Sequence, residues 1–137
     1  MSSKAILIVD DNRDLRLLME RVVGRAGYPV LHAVNGLSAM RLINDRPYDI
    51  GIVICDVILP DIHGANLLDS LNALRPGVQG VLITGDPDAV PSDCLWDVLV
   101  KPFPMAELLR YIRALEHEQP TLEAEPASVE SSLQPNA

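Results

Sequence analysis

The chain is short of positive charge. Eleven Lys and Arg stand against nineteen Asp and Glu, for a net charge of −8. A nucleic-acid-binding surface neutralises phosphates with clustered cations, and no basic stripe is present to do so. Cysteine is scarce as well, with only Cys55 and Cys94. The opening MSSKAILIVDD meets its acidic pair before any long apolar segment forms, so it does not read as a secretory signal. Both cysteines are therefore expected to be reduced thiols of a cytoplasmic protein, with Cys55 buried in a strand. No apolar stretch approaches the roughly 18 residues that a membrane-spanning helix needs. A GxGxxG turn, the mark of a dinucleotide site, is missing. The histidines share no metal-ligand spacing. His32 reads as a strand residue, His63 as a loop residue and His117 as a cation at a helix C-terminus.

What is present is apolar and periodic. Of 137 residues, 48% are hydrophobic, enough for one domain with a real core. Apolar runs of strand length alternate with helical patterns, the signature of βαβ units and a parallel sheet. The first strand is expected at about 4–9. Leu15, Leu18, Met19, Val22 and Ala26 then fall on one helical face, which Gly27 and Pro29 close. A short strand over 30–34 is followed by the Asn35-Gly36 turn signal. A helix carrying Leu37, Ala39, Met40 and Ile43 stops near Pro47. The third strand, 50–55, is apolar throughout, as suits a central strand covered on both faces. Leu67, Leu68, Leu71 and Leu74 mark a third helix, closed by Pro76-Gly77. Strands at 81–84 and 98–100 and a last helix at 105–117, with Leu108, Leu109, Ile112 and Leu115 inward, complete the pattern.

One crossover is too short. Only GDPDAVPSDC lies between Thr84 and Leu95, and a whole βαβ crossover usually takes at least about 10–12 residues. Pro91 would break a helix there, so the fourth helix should be a single turn or absent. Beyond the last helix, residues 119–137 hold three prolines, no aromatic and no Lys or Arg. That composition reads as a disordered acidic tail after a domain of residues 1–118.

The chemistry-bearing residues sit where the apolar runs end. Asp10 and Asp11 close KAILIV, Asp56 closes IGIVIC, Thr84 closes GVLI and Lys101 closes LWDVLV. In an open α/β sheet the C-terminal ends of the strands form one edge, and ligands bind there. Singly, these residues also read as a helix cap, a loop acid, a strand residue and a surface lysine. Their joint placement brings three carboxylates, a hydroxyl and an ammonium together. A carboxylate can attack phosphorus to form an acyl phosphate. Mg²⁺ takes oxygen ligands from one or two carboxylates and keeps waters. Lys101 supplies a compact charge for phosphoryl oxygens, Thr84 a hydrogen bond, and Gly85 open space beside them.

Together IVDDN, DVILPDIHG, LITGD and VKPF resemble the receiver domain of bacterial two-component response regulators, over about residues 4–117. The resemblance implies a doubly wound five-stranded parallel sheet, flavodoxin-like, in order 2-1-3-4-5. It implies Asp56 as phospho-acceptor and Asp10 and Asp11 as the Mg²⁺-binding pair. The Ile58 backbone carbonyl would join the metal site, and Thr84 and Lys101 would hold the phosphoryl group. The implied donor is a phosphohistidine on a sensor histidine kinase or phosphotransfer protein. The implied output is contact with a downstream target protein, with no nucleic acid or membrane involved and no room for an appended output domain. Such a protein is not a dedicated enzyme, although Mg²⁺-dependent self-phosphorylation and self-dephosphorylation at Asp56 are expected. Two departures stand out. Receivers commonly carry an aromatic residue three positions before the lysine, where this chain has Val98. The short fourth crossover also removes surface that many receivers use for partners, with Trp96 close by. An alternative reading is a receiver-like interaction module that phosphorylation does not switch. A phosphatase of the haloacid dehalogenase type would need a second aspartate two positions after the first, and Ile58 stands there.

Overall fold

The computed structural model describes residues 4–45 and 49–118. The stop expected near Pro47 and the tail at 119–137 lie outside the described residues. Five strands alternate with helices: β1 (Ala5–Val9), α1 (Arg13–Arg25), β2 (Val30–Ala33), α2 (Gly36–Asn44), β3 (Ile50–Asp56), α3 (Gly64–Leu74), β4 (Gln79–Thr84), β5 (Asp97–Val100) and α4 (Met105–Glu118). The four pairings within the sheet are parallel, and its order is β2-β1-β3-β4-β5. The doubly wound architecture follows, with its switch point between β1 and β3.

Alternation along the strands sorts the core into two layers. Leu7, Val9, Val53, Cys55 and Leu82 pack with α2 and α3 residues such as Ile43, Leu67 and Leu71. Ile6, Ile8, Ile52, Ile54, Val81 and Ile83 pack on the other face with Met19 and Val23 of α1 and Leu108, Ile112 and Leu115 of α4. Both faces of β1 and β3 are thus covered, which explains why every residue in those strands is buried.

Local signals place the helices. Asn12 caps α1 by accepting from the Leu15 N–H at 3.1 Å. Asn35 and Ser38 form a capping box at the start of α2. Asp61 adds a long-range cap, accepting from the Gly36 and Leu37 N–H groups at 2.8 and 3.0 Å. Those bonds hold its carboxyl below the usual carboxylate range, against a smaller opposing effect of burial. Between β4 and β5 the chain makes a single 3₁₀ turn, Pro87–Ala89, in place of a full helix. Pro87 and Pro91 fit that shape, because each lacks the N–H that a helix interior needs.

Helix α1 departs from its expected phase. Its buried residues are Arg16, Met19 and Val23, while Leu18 is 42% exposed. The helix turns Arg16 inward because the Asp10 carbonyl accepts a hydrogen bond from the guanidinium at 3.0 Å. Leu74 is similarly exposed at the end of α3. β4 starts two residues earlier than the apolar run, since Gln79 and Gly80 pair with Ile52 and Val53. No helix among the described residues is long and apolar enough to cross a membrane.

Candidate functional site

Asp10 follows β1 and Asp56 ends β3. These strands are neighbours in a register that places Val9 beside Cys55, so the two acids emerge side by side at the switch point. Asp11 comes next. A carboxylate oxygen from each of Asp10, Asp11 and Asp56 lies within 4.8 Å of the others. Lys101 follows β5, and its backbone N–H donates to the Thr84 carbonyl at 2.7 Å, tying the ends of β4 and β5 together. Its Nζ reaches Asp56 Oδ2 at 3.2 Å. The other Asp56 oxygen accepts from the Ile58 N–H at 3.2 Å. The Asp56 carboxylate is therefore held from both ends.

Asp10 is fully buried. Its Oδ1 accepts from the Asn12 N–H at 2.9 Å, while Oδ2 has no hydrogen-bond partner. Burial pushes its carboxyl up from 3.8 to about 6. The Asn12 N–H opposes this, the nearby Asp56 charge adds to it, and Lys101 offsets part. Burial, then the Asp56 and Asp10 charges, also push the Cys55 thiol far above its ordinary value, so it is an inert core thiol.

An orphaned carboxylate oxygen beside two further carboxylates fits a hard divalent cation, which takes oxygen ligands. Asp10, Asp11 and Asp56 are the residues able to hold it.

Four of the five strand-end side chains expected to share the pocket converge. Thr84 is in place at the end of β4, but its hydroxyl is committed to its own turn. It donates to the Asp86 carbonyl at 3.1 Å and accepts from the Asp86 N–H at 3.0 Å. Val98 is half-buried and packs with the α3-side core rather than facing the carboxylates. Sequence reasoning missed Arg16, which is 8% exposed and pairs with Glu20 at 3.4 Å as well as with the Asp10 carbonyl. An arginine four residues before a glutamate on a helix was the available signal. It also missed the tie made by His63, which caps α3 through Nδ1 and bonds the Ala89 carbonyl at 3.0 Å through Nε2.

Asp10 sets a pH dependence. A carboxyl bound more tightly to its proton in the folded state than in the unfolded chain stabilises the fold at low pH. That stability is lost as pH rises through the folded value. In the presence of EDTA, urea unfolding should show a loss of order 2 kcal/mol between about pH 4 and about pH 7 relative to Asp10→Asn. A wild-type profile parallel to that of Asp10→Asn would remove Asp10 as the source.

Strand order and pocket chemistry define an α/β protein with a cluster of three carboxylates at its switch point. The chain belongs to the response regulator receiver domain family, which matches residues 6–113. It is thus a receiver domain of two-component systems. It is 29% identical over 119 residues to the response regulator receiver protein CpdR of Brucella abortus, covering 82% of this chain and 96% of CpdR. It is also 27% identical over 122 residues to the sensor kinase CckA of Brucella abortus, covering 85% of this chain but only 13% of the kinase. Among solved structures, it superimposes on the response regulator TrrA of Thermotoga maritima with a TM-score of 0.72 and 25% identity, covering 82% of this chain and 99% of TrrA. That structure was solved in complex with Mg²⁺-BeF.

Proposed function

We propose that this chain accepts a phosphoryl group on Asp56 from a phosphohistidine of a sensor histidine kinase or phosphotransfer protein, and that its output is contact with a downstream target protein. One observation carries the reading. The Asp56 carboxylate stands between the Lys101 ammonium at 3.2 Å and two further aspartates whose oxygens lie within 4.8 Å. The working unit in this reading is a cytoplasmic domain over residues 1–118, with 119–137 as an acidic tail.

The residues divide the work. An Asp56 oxygen attacks phosphorus, the phosphorus–nitrogen bond of the donor imidazole breaks, and its electron pair stays on the ring nitrogen. The product is an acyl phosphate on Asp56. Asp10 and Asp11 would hold Mg²⁺ together with Asp56 and the Ile58 backbone carbonyl. The bound ion supplies charge neutralisation for the phosphoryl oxygens. Lys101 keeps Asp56 oriented before transfer and is placed to neutralise charge on the arriving group. Arg16 fixes the Asp10 backbone from beneath. Thr84 joins the phosphoryl group only after leaving its bonds to Asp86. Beside Lys101, an apolar groove of about 270 Å³ lined by Leu15, Leu18, Pro102, Phe103 and Met105 gives the donor protein a seat next to the pocket. The outward turn of Leu18 on α1 thereby acquires a use.

Incubation with acetyl phosphate and Mg²⁺ tests the reading by intact mass. Wild type should gain one phosphoryl group and Asp56→Asn none. An unmodified wild type, or an equally modified variant, would sink it.

The bonds between Thr84 and Asp86, with Val98 in the core, favour a second reading in which the pocket does not switch the surface. Amide exchange with and without beryllofluoride and Mg²⁺ separates the two. Switching requires altered protection within residues 84–104, starting where Thr84 releases Asp86. Unchanged protection there would support the unswitched module.

A further inference from the structure

The short β4–β5 connection leaves part of α3 uncovered. Ala65, Asn66 and Asp69 of α3 face Pro91, Asp93, Cys94, Leu95 and Trp96 across a groove of about 240 Å³. The groove is built rather than incidental. The Trp96 indole N–H donates to Asp69 at 2.8 Å, bridging the two walls. Its ring lies over Gly80, where an added Cβ would come within 3.3 Å of it and 3.0 Å of Leu68. At the lip, Leu95 is 96% exposed, more than any other large apolar side chain among the described residues. The pocket of carboxylates lies elsewhere and shares none of these groove residues.

Charge selects the occupant. From Pro76 to Val100 the chain carries Asp86, Asp88, Asp93 and Asp97 and no Lys, Arg or His. Of these Asp93 lines the groove itself, and Asp69 adds a second lining carboxylate from the opposite wall. The nearest cation before this stretch, Arg75, is engaged with the Ile43 carbonyl at 2.8 Å. A cleft with apolar Leu95 and Trp96 beside the carboxylates of Asp69 and Asp93, in a stretch without cations, attracts a partner that offers apolar side chains flanked by cations, and repels anions. Residues 119–137 have glutamates and no Lys or Arg, so this chain's own end is the wrong sign. A second copy would set one acidic rim against another, and nucleic acid is excluded by the same repulsion.

We propose that the groove between α3 and the β4–β5 connection docks a cationic amphipathic segment of a partner protein, with apolar contacts to Leu95 and Trp96 and ion pairs to Asp69 and Asp93. The groove is formed without a group on Asp56, so the proposal stands or falls apart from the phosphoryl-acceptor reading.

Trp96 is the only tryptophan of the chain and reports directly on the groove. The full chain is titrated with a short amphipathic peptide of Leu and Lys and with its Leu and Glu counterpart. The Leu/Lys peptide should shift Trp96 emission to the blue and saturate, while the Leu/Glu peptide should not bind. Leu95→Ser, and separately Asp69→Asn with Asp93→Asn, should each weaken binding about tenfold. Asp45→Asn with Glu107→Gln removes the same charge on other elements and should leave affinity within about twofold. Leu95 is so exposed that its replacement leaves the core intact, and Asn at position 69 can still accept from Trp96. No binding by wild type, equal binding by the groove variants, or an equal loss in the remote variant would each overturn the proposal. So would a blue shift that follows protein concentration without peptide, which would mark self-association.

Discussion

Replacing Lys101 with Met should slow phosphoryl transfer to Asp56 by at least about a hundredfold, the usual scale for removing a preorganised charge partner from a transfer site. The ammonium sits 3.2 Å from Asp56 and is the only cation placed on that carboxylate by an ion pair among the described residues. Its side chain is 25% exposed and that of Asp56 12%. The interaction is therefore screened less than a surface pair, though not fully dry. Without it, three carboxylates face one another and the incoming phosphoryl oxygens meet only negative side chains. Metal-free Lys101→Met should also lose about 2 kcal/mol of stability, because one partner of a mostly buried pair is left behind. Lys101→Arg keeps the charge but spreads it over a planar fork, so it should recover only part of the rate. The rate is read by intact mass at fixed acetyl phosphate and Mg²⁺, and a Met variant within about threefold of wild type would contradict the role given to Lys101.

Gly64→Ala should be the most damaging small substitution near the site, costing about 3 kcal/mol in urea unfolding. Gly64 opens α3 directly against the end of β3. A Cβ there would overlap the Asp56 carbonyl oxygen and crowd the Val57 Cα at 3.0 Å. These are backbone atoms that cannot rotate away. The Gly64 N–H also donates to the Val57 carbonyl at 2.7 Å, so the loop has little room to shift without breaking that bond. Any relief displaces Asp56 itself, and transfer should fall with stability. Gly85→Ala is the control. Nothing lies within 4 Å of a Cβ at Gly85, so its stability should change by less than about 1 kcal/mol. If both variants unfold like wild type, the close approach at Gly64 is not a constraint.

The pocket was legible because strand ends are legible. Asp10 and Asp56 each interrupt a run of buried apolar residues, Lys101 follows the partly exposed apolar strand β5, and a parallel sheet puts all such strand ends on one edge. The missing fourth helix was legible for a different reason, since two prolines and ten residues leave it no room. What escaped depends on contacts between elements. The phase of α1 is set by the bond from Arg16 to the Asp10 carbonyl, which hydrophobic periodicity does not register. Gln79 and Gly80 join β4 because Leu68 and Trp96 pack on the glycine, not because either residue favours strands. The Thr84 hydroxyl turns to Asp86 in a local turn that competes with the pocket for the same oxygen. His63 looked like a plain loop residue, yet it joins the loop after Asp56 to the turn after Thr84 through the Ala89 carbonyl. That tie links the loop after Asp56 directly to the β4–β5 connection, without an aromatic residue at position 98.

The most direct test of the central claim is to trap the acyl phosphate where it forms. The protein is treated with acetyl phosphate and Mg²⁺, reduced with borohydride, and mapped by peptide mass spectrometry. Borohydride converts the carbonyl of an acyl phosphate to an alcohol, so a phosphorylated aspartate becomes homoserine. The account predicts homoserine at Asp56 alone, and none when Mg²⁺ is replaced by EDTA. Homoserine at Asp10 or Asp11, or at no residue under conditions that keep the protein folded, would contradict it.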